Sequence, residues 1–231
     1  TPTPRARVRV DGYRRELKQG GLSNTAVGAG VTTSFEVDPG LTIAAALGGS
    51  RSGATGAGGT LMWRGLVRSP SHRAVRVGME ASSRALDETA LMNERGVRQT
   101  GITATLRWRP DPAWLMDLES GYASFTGTAD NTRWHAALAA SRRLNQVTSL
   151  GLSYRSFGFD QDLTDGYFDP DLYWVAEANL AVRASALPWS LALEAAPGLQ
   201  QVGEGGSRSF SARGSARVGY LLRQGREFFS S

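Results

Sequence analysis

Two sets of side chains in this sequence could act on a solute. One is a series of charged residues recurring at every second position; the other is a scatter of isolated nucleophile or base candidates. Arg64, Arg76, Arg107, Arg133, Arg155, Arg183, Arg213 and Arg217 each stand opposite an apolar stripe, and Glu80, Asp117, Glu119, Glu177 and Glu194 share their face. Guanidinium and carboxylate groups on one face pair with each other in part. The remaining groups offer weak, exchangeable hydrogen bonds to a passing solute, and an excess of Arg favours anions in a pore. That is the chemistry of contact and passage, with no bond broken.

The bond-breaking candidates are thin. Gly53–Gly59 has the glycines of a phosphate loop but lacks the Lys-Ser/Thr that reaches phosphate and metal, so it reads as a flexible loop. Asp117 and Glu119 stand two apart on one face, as a glycosidase pair could, yet so many Arg share that face that ion-paired carboxylates are the simpler account. His135 with nearby Ser141 could belong to a barrel esterase, but no base-orienting partner is in sequence reach. With no Cys there is neither a thiolate nucleophile nor a Cys-type zinc site, and the only histidines, His72 and His135, are far apart. The expectation is no catalytic residue, no metal and no cofactor, with a barrel enzyme kept as an alternative.

Long strands must position these residues. From Leu172 to Ala186 every even position is apolar: Leu172, Trp174, Ala176, Ala178, Leu180, Val182, Ala184 and Ala186. The odd positions carry Tyr173, Glu177, Asn179 and Arg183, with Val175 and Ala181 as apolar exceptions. A period of two is a strand signature, and this one outruns the usual strand of about 5–6 residues. An apolar face of that length, unbroken by charge, predicts lipid on one side and water on the other. Repetition of the pattern along all 231 residues gives about twelve strands, so residues 1–231 are expected to form one all-β, antiparallel up-and-down transmembrane barrel in a bacterial outer membrane. Hydrophobic residues make up 41% of the chain, but none of its runs approaches the roughly 18 apolar residues of a membrane helix. The 28 Gly, 9 Pro and 6 Trp suit strands, turns and interfacial aromatics better than a helical bundle.

The net charge of +5 is nearly all Arg, since Lys18 is the only Lys. Alternation of Arg within strands points to an inner wall and against a nucleic-acid patch. Short turns fall at Asp38–Gly40, Ser69–Ser71, Arg109–Pro112, Leu144–Gln146, Leu187–Pro188 and Arg223–Gly225. Longer or Gly-rich loops alternate with them at Lys18–Ser23, Gly48–Gly59, Leu86–Arg98, Asp160–Asp171 and Val202–Ser207, with Thr126–Asn131 intermediate. In bacterial barrels the short set is periplasmic. Glu227–Ser231 starts one more strand, which suggests a piece of a larger barrel, and any export signal would lie upstream of the polar Thr1–Pro4 lead. All six tryptophans, Trp63, Trp108, Trp114, Trp134, Trp174 and Trp189, stand on the apolar parity, as an interfacial girdle requires.

Thr128–Thr132, Ser149–Tyr154, the segment Gly166-Tyr167-Phe168-Asp169-Pro170 and Gly198–Gln201 follow one another in a series. The series resembles the C-terminal outer-membrane barrel of tetratricopeptide-linked exopolysaccharide export proteins of the cellulose-secretion type, mainly over Thr126–Gln201. Members of that family tend to have Ser where Asp169 stands, and their barrels have about sixteen strands. The resemblance implies passive export of an exopolysaccharide through an Arg-rich lumen, in a biofilm-forming Gram-negative cell. The implied partners are the polysaccharide chain, outer-membrane lipids, a periplasmic repeat scaffold outside this chain and an inner-membrane synthase, with no nucleic acid. It makes Tyr173 a candidate sugar contact, and gives Tyr167 and Phe168 two readings, sugar contact or loop plug. A general diffusion porin is the alternative.

Overall fold

The computed structural model describes residues 5–19, 22–38, 41–52, 60–69, 74–86, 91–92, 95–163, 167–221 and 227–230. They form thirteen strands: β1 (Arg5–Gln19), β2 (Leu22–Asp38), β3 (Leu41–Ser52), β4 (Thr60–Arg68), β5 (Val75–Ala85), β6 (Arg98–Trp108), β7 (Trp114–Thr126), β8 (Asn131–Arg143), β9 (Thr148–Phe159), β10 (Tyr173–Ala186), β11 (Trp189–Val202), β12 (Arg208–Leu221) and β13 (Glu227–Ser230). Strand order in the sheet is chain order, β1 to β13, which is the up-and-down topology that hairpin connections dictate. The registers are antiparallel, as in Leu180↔Ala195 and Leu191↔Val218. The thirteenth strand is the short run after the last turn, paired to β12 from Val218↔Ser230 to Leu221↔Glu227.

Two expected loops are shorter than the sequence suggests. β1 and β2 run to within two residues of each other, so Lys18–Ser23 is mostly strand. Gly48–Ser52 belongs to β3 and pairs with Gly30–Ala26 of β2. Composition misleads there because Gly48 is a close-approach residue: a Cβ on it would lie 2.7 Å from the Ala29 carbonyl oxygen. Residues 39–40 of the predicted Asp38–Gly40 turn, residues 70–71 of the Ser69–Ser71 turn, the Arg223–Gly225 turn and the glycine loop over 53–59 lie outside the described residues.

The chain packs as two compact units, Thr1–Leu106 with Glu119–Ala136 and Phe157–Asp171, and Arg107–Leu118 with Ala137–Ser156 and Leu172–Ser231. In both, side chains at the apolar parity of the strands are exposed. Val31, Leu47, Val67, Met79 and Ile102 are exposed in the first, and Leu150, Leu152, Leu180, Leu193, Phe210 and Val218 in the second. Exposed apolar side chains at every second position of strand after strand are not the surface of a soluble protein, where a large contiguous patch is rare.

The first unit has a core on its other face. Leu86, Met92, Val97, Ala123, Phe125 and Phe159 are buried together, with Phe157 and Tyr167 packed against them. Phe125, Phe157 and Phe159 sit at the same parity as Glu119, His135 and Arg155, so the wet face turns aromatic at this end of β7 and β9. The Leu86 N–H donates to the Val97 carbonyl at 2.8 Å, which folds the β5–β6 connection into the cluster.

Candidate functional site: the polar face of the strands

Among the described residues, Arg64, Arg107, Arg183 and Arg213 are each bridged to a carboxylate from another strand. Arg64 on β4 donates to Glu80 on β5 at 2.7 Å. Arg107 on β6 holds Asp117 on β7 with two bonds, at 2.6 and 3.3 Å. Arg183 on β10 reaches Glu194 on β11 at 3.0 Å. Arg213 on β12 grips Glu177 on β10 with two bonds, at 2.8 and 3.0 Å. Alternation places these groups on one face, and the antiparallel register brings the partners within reach.

Glu177 is the centre of the second unit's polar face. It is buried, whereas the Arg213 side chain stays 63% exposed. Ser153 on β9 donates to the same carboxylate at 3.3 Å, and the Asn179 amide donates to Ser153 Oγ at 2.9 Å and accepts from Arg213 at 3.3 Å. Arg213 must cross β11 diagonally to reach Glu177, because Arg213 is opposite Ala196 and Glu177 is opposite Gly198, two residues further along β11. A side chain at Gly198 would crowd Glu177. Its Cβ would sit 2.9 Å from Glu177 Cγ and against the Ala176 carbonyl. Beside this network runs a shallow recess in which Ser141, Ser149, Asn179, Glu194, Arg213 and Ser215 alternate with small or apolar residues such as Leu150, Ala181 and Ala196.

The other predicted residues take different places. In the first unit Glu119 approaches the His135 Nε2 at 3.6 Å, and no described group meets His135 Nδ1. Ser141 stands six positions further along β8 and lines a recess of the second unit. Arg133 lies over three rings, Phe125, Phe157 and Phe159, at 5.8, 5.6 and 5.8 Å from their centroids. Arg76 stands on β5 at polar parity and is partly buried. Arg155 on β9 and Arg217 on β12 are exposed, and neither forms an ion pair among the described residues. The Tyr173 hydroxyl donates to Gln200 at 3.2 Å across the β10–β11 pair.

The loop motif separates into anchors and an exposed ring, with Gly166 outside the described residues. Tyr167 stacks on Phe125 with centroids 5.2 Å apart, and its hydroxyl accepts from the Asn131 amide at 3.3 Å. Asp169 is buried and accepts the Leu163 N–H at 2.6 Å, and the Pro170 carbonyl accepts the Phe159 N–H at 3.0 Å. Phe168 remains exposed, edge-on to Phe157. Asn131, which the sequence reading passed over, ties the base of the loop. Its amide donates to the Gln161 carbonyl at 2.7 Å, and its Oδ1 accepts from the Gln161 and Thr132 N–H groups at 3.1 and 2.9 Å. Thr132 Oγ1 also donates to the Asp160 carboxylate. Among the described residues no cluster of His, Asp and Glu is arranged to hold a metal ion.

No protein-family profile matches this chain, and no curated protein matches its sequence. Solved structures do match its fold. The chain is similar to a bacterial polysaccharide outer membrane secretin with a TM-score of 0.65 and 12% identity, over 94% of this chain and 86% of that one. The fold is an antiparallel up-and-down β-barrel. A second solved structure, the NanC porin, matches at a TM-score of 0.42 and 11% identity, over 93% of this chain and 99% of the other.

Proposed function

We propose that this chain is an outer-membrane barrel of a Gram-negative bacterium that exports an exopolysaccharide passively. One observation carries the membrane placement: an uncharged, exposed apolar band that runs between two rows of aromatic residues. On β10 the band runs from Trp174 to Ala186, whose partner in register is Trp189. Twelve residue steps at about 3.4 Å each give roughly 41 Å along the strand. A tilt of about 40° reduces this to roughly 31 Å, close to the hydrocarbon core of a bilayer, about 30 Å. Trp189 packs edge-on against Tyr220 with centroids 4.7 Å apart, and Tyr154 stacks on Trp174 at 6.4 Å, so each margin has its own aromatic pair.

The polar face then lines the lumen. Its serines, Asn179 and bridged Arg–carboxylate pairs offer a sugar chain donors and acceptors that exchange easily, which permits passage without trapping. The likeness to a polysaccharide secretin and the resemblance of residues 126–201 to the cellulose-secretion type support a polysaccharide as the cargo. On this reading a periplasmic repeat scaffold and an inner-membrane synthase are the partners, the synthase supplies the driving force, and the chain performs no catalysis of its own.

The test is genetic and chemical. Deleting the gene from a polymer-producing strain should leave the polymer in the periplasm, and the intact gene should restore secretion. Unchanged secretion after deletion, together with free flux of unrelated small solutes through the purified protein in liposomes, would identify a general diffusion porin instead.

A further inference from the structure

The apolar face of the second unit carries charge only at its margins. On that parity of β10, β11 and β12, and of the parts of β7, β8 and β9 that belong to this unit, the charged residues are Arg142 and Arg208. Arg142 precedes the β8–β9 turn, and Arg208 opens β12 directly after the Gly203–Ser207 loop. One cation therefore stands at each end of the strands.

Both are built in the same way. The Arg142 guanidinium lies 5.5 Å from the centroid of Trp114, and the Arg143 N–H bonded to the Ala113 carbonyl at 2.7 Å fixes the two strand ends together. The Arg208 guanidinium lies 5.8 Å from the centroid of Trp174. That second contact spans a strand, since Trp174 is opposite Gln201 and Gln201 is opposite Arg208. Gln201 leaves room by turning its amide back to the Gly203 and Glu204 carbonyls, at 2.9 and 3.1 Å. Neither arginine forms an ion pair with a described carboxylate, in contrast to the bridged arginines of the polar face. A guanidinium set over an indole and bound to no described carboxylate can turn its N–H fork to the oxygens of a phosphate. The position is where headgroup phosphates meet an interfacial tryptophan.

We propose that Arg208 with Trp174, and Arg142 with Trp114, are two binding sites for the phosphate of a lipid headgroup. One serves the leaflet at the long-loop end and the other the leaflet at the short-turn end. The inference rests on the membrane placement given above and not on the identity of the cargo. A polymer-lining role is excluded by parity, because both arginines share the face of Leu180 and Val218 and not that of Arg213.

The test is native mass spectrometry of the full chain, folded and released from mixed bilayers of phosphatidylglycerol and the phosphate-free digalactosyldiacylglycerol. Wild type should retain up to two phosphatidylglycerol molecules in preference to the glycolipid. Arg208→Gln and Arg142→Gln should each lose one, the double variant both, and Arg183→Gln on the polar face neither. Heat-modifiable gel mobility verifies that each variant is folded. Equal retention of the two lipids, or unchanged retention in the double variant, would overturn the proposal. So would stripping of the phosphatidylglycerol by millimolar inorganic phosphate, which would make these sites for the free anion. If the chain does not enter a bilayer at all, the membrane placement itself fails, and that outcome is distinguishable from a folded barrel with no lipid preference.

Discussion

The carboxylate of Glu177 is buried on β10, and the guanidinium that neutralises it comes from Arg213, two strands away across β11. The pair is asymmetric, with a buried acid and a half-solvated base, and that decides which deletion hurts more. Arg213→Ala leaves a buried carboxylate without its cation and should destabilise the folded barrel by about 3 kcal/mol, toward the low end for a broken buried pair because water reaches the site. Glu177→Gln leaves a guanidinium that can turn to water and should cost about 1 kcal/mol, the size of an ordinary hydrogen bond. Urea unfolding in lipid vesicles reads the difference, and equal costs would show that Glu177 is solvated.

Gly198→Ala should resemble neither change. The new methyl collides with the Ala176 carbonyl and crowds Glu177 Cγ, so the strand pair must shift and carry Glu177 with it. We predict a cost of about 1–3 kcal/mol from overpacking. A double-mutant cycle with Glu177→Gln should show strong coupling; additive effects would mean that the shift does not reach the Glu177–Arg213 bridge.

Neighbouring residues of β10 should respond oppositely to charge. Leu180 is 43% exposed at apolar parity, and Ala181 is partly buried at polar parity. Leu180→Arg near the midplane should cost about 2–4 kcal/mol, and Ala181→Arg much less. Spin labels at the two positions should report oxygen and water accessibility respectively. Equal wetting of both would contradict the membrane placement.

The aromatic cluster should hold the Asp160–Asp171 loop against the strands. Phe125 is buried and contacts Phe159 and Tyr167, so Phe125→Ala should cost about 3–5 kcal/mol if the space stays empty. Hydrogen exchange at Leu163 and Phe159, whose amides bond to Asp169 and Pro170, should accelerate selectively. Exchange that is unchanged there would show that the loop is anchored by Asn131 alone.

The strands were legible because alternation of period two is local and runs for nine residues or more in twelve of them. Leu172–Ala186 was readable to within a residue of β10 for that reason. The Gly-rich end of β3 was not, since glycine carries no alternation signal and its use there, close backbone approach, appears only with the partner strand in place. On the polar face, sequence could say which residues share a side but not which Arg meets which acid. Arg64–Glu80, Arg107–Asp117 and Arg183–Glu194 join adjacent strands, whereas Arg213–Glu177 skips one. The aromatic cluster did leave a trace. Phe125, Phe157 and Phe159 break the polar parity, and three rings on a wet face signal something packed against it. Asn131 gave no such sign, because a single amide at a strand start is commonplace and its two loop bonds depend on where Gln161 returns.

The central claim is that the face bearing the paired arginines lines a water-filled passage. The measurement that tests it most directly is the reversal potential of the purified protein in a planar bilayer under a salt gradient. With Glu80, Asp117, Glu177 and Glu194 each bridged by an Arg, and Arg155 and Arg217 in no ion pair among the described residues, the passage should prefer anions. That preference should fall when Arg183 and Arg217 are both replaced by Ser. No ion current from a correctly folded protein, or a clear preference for cations, would contradict the account.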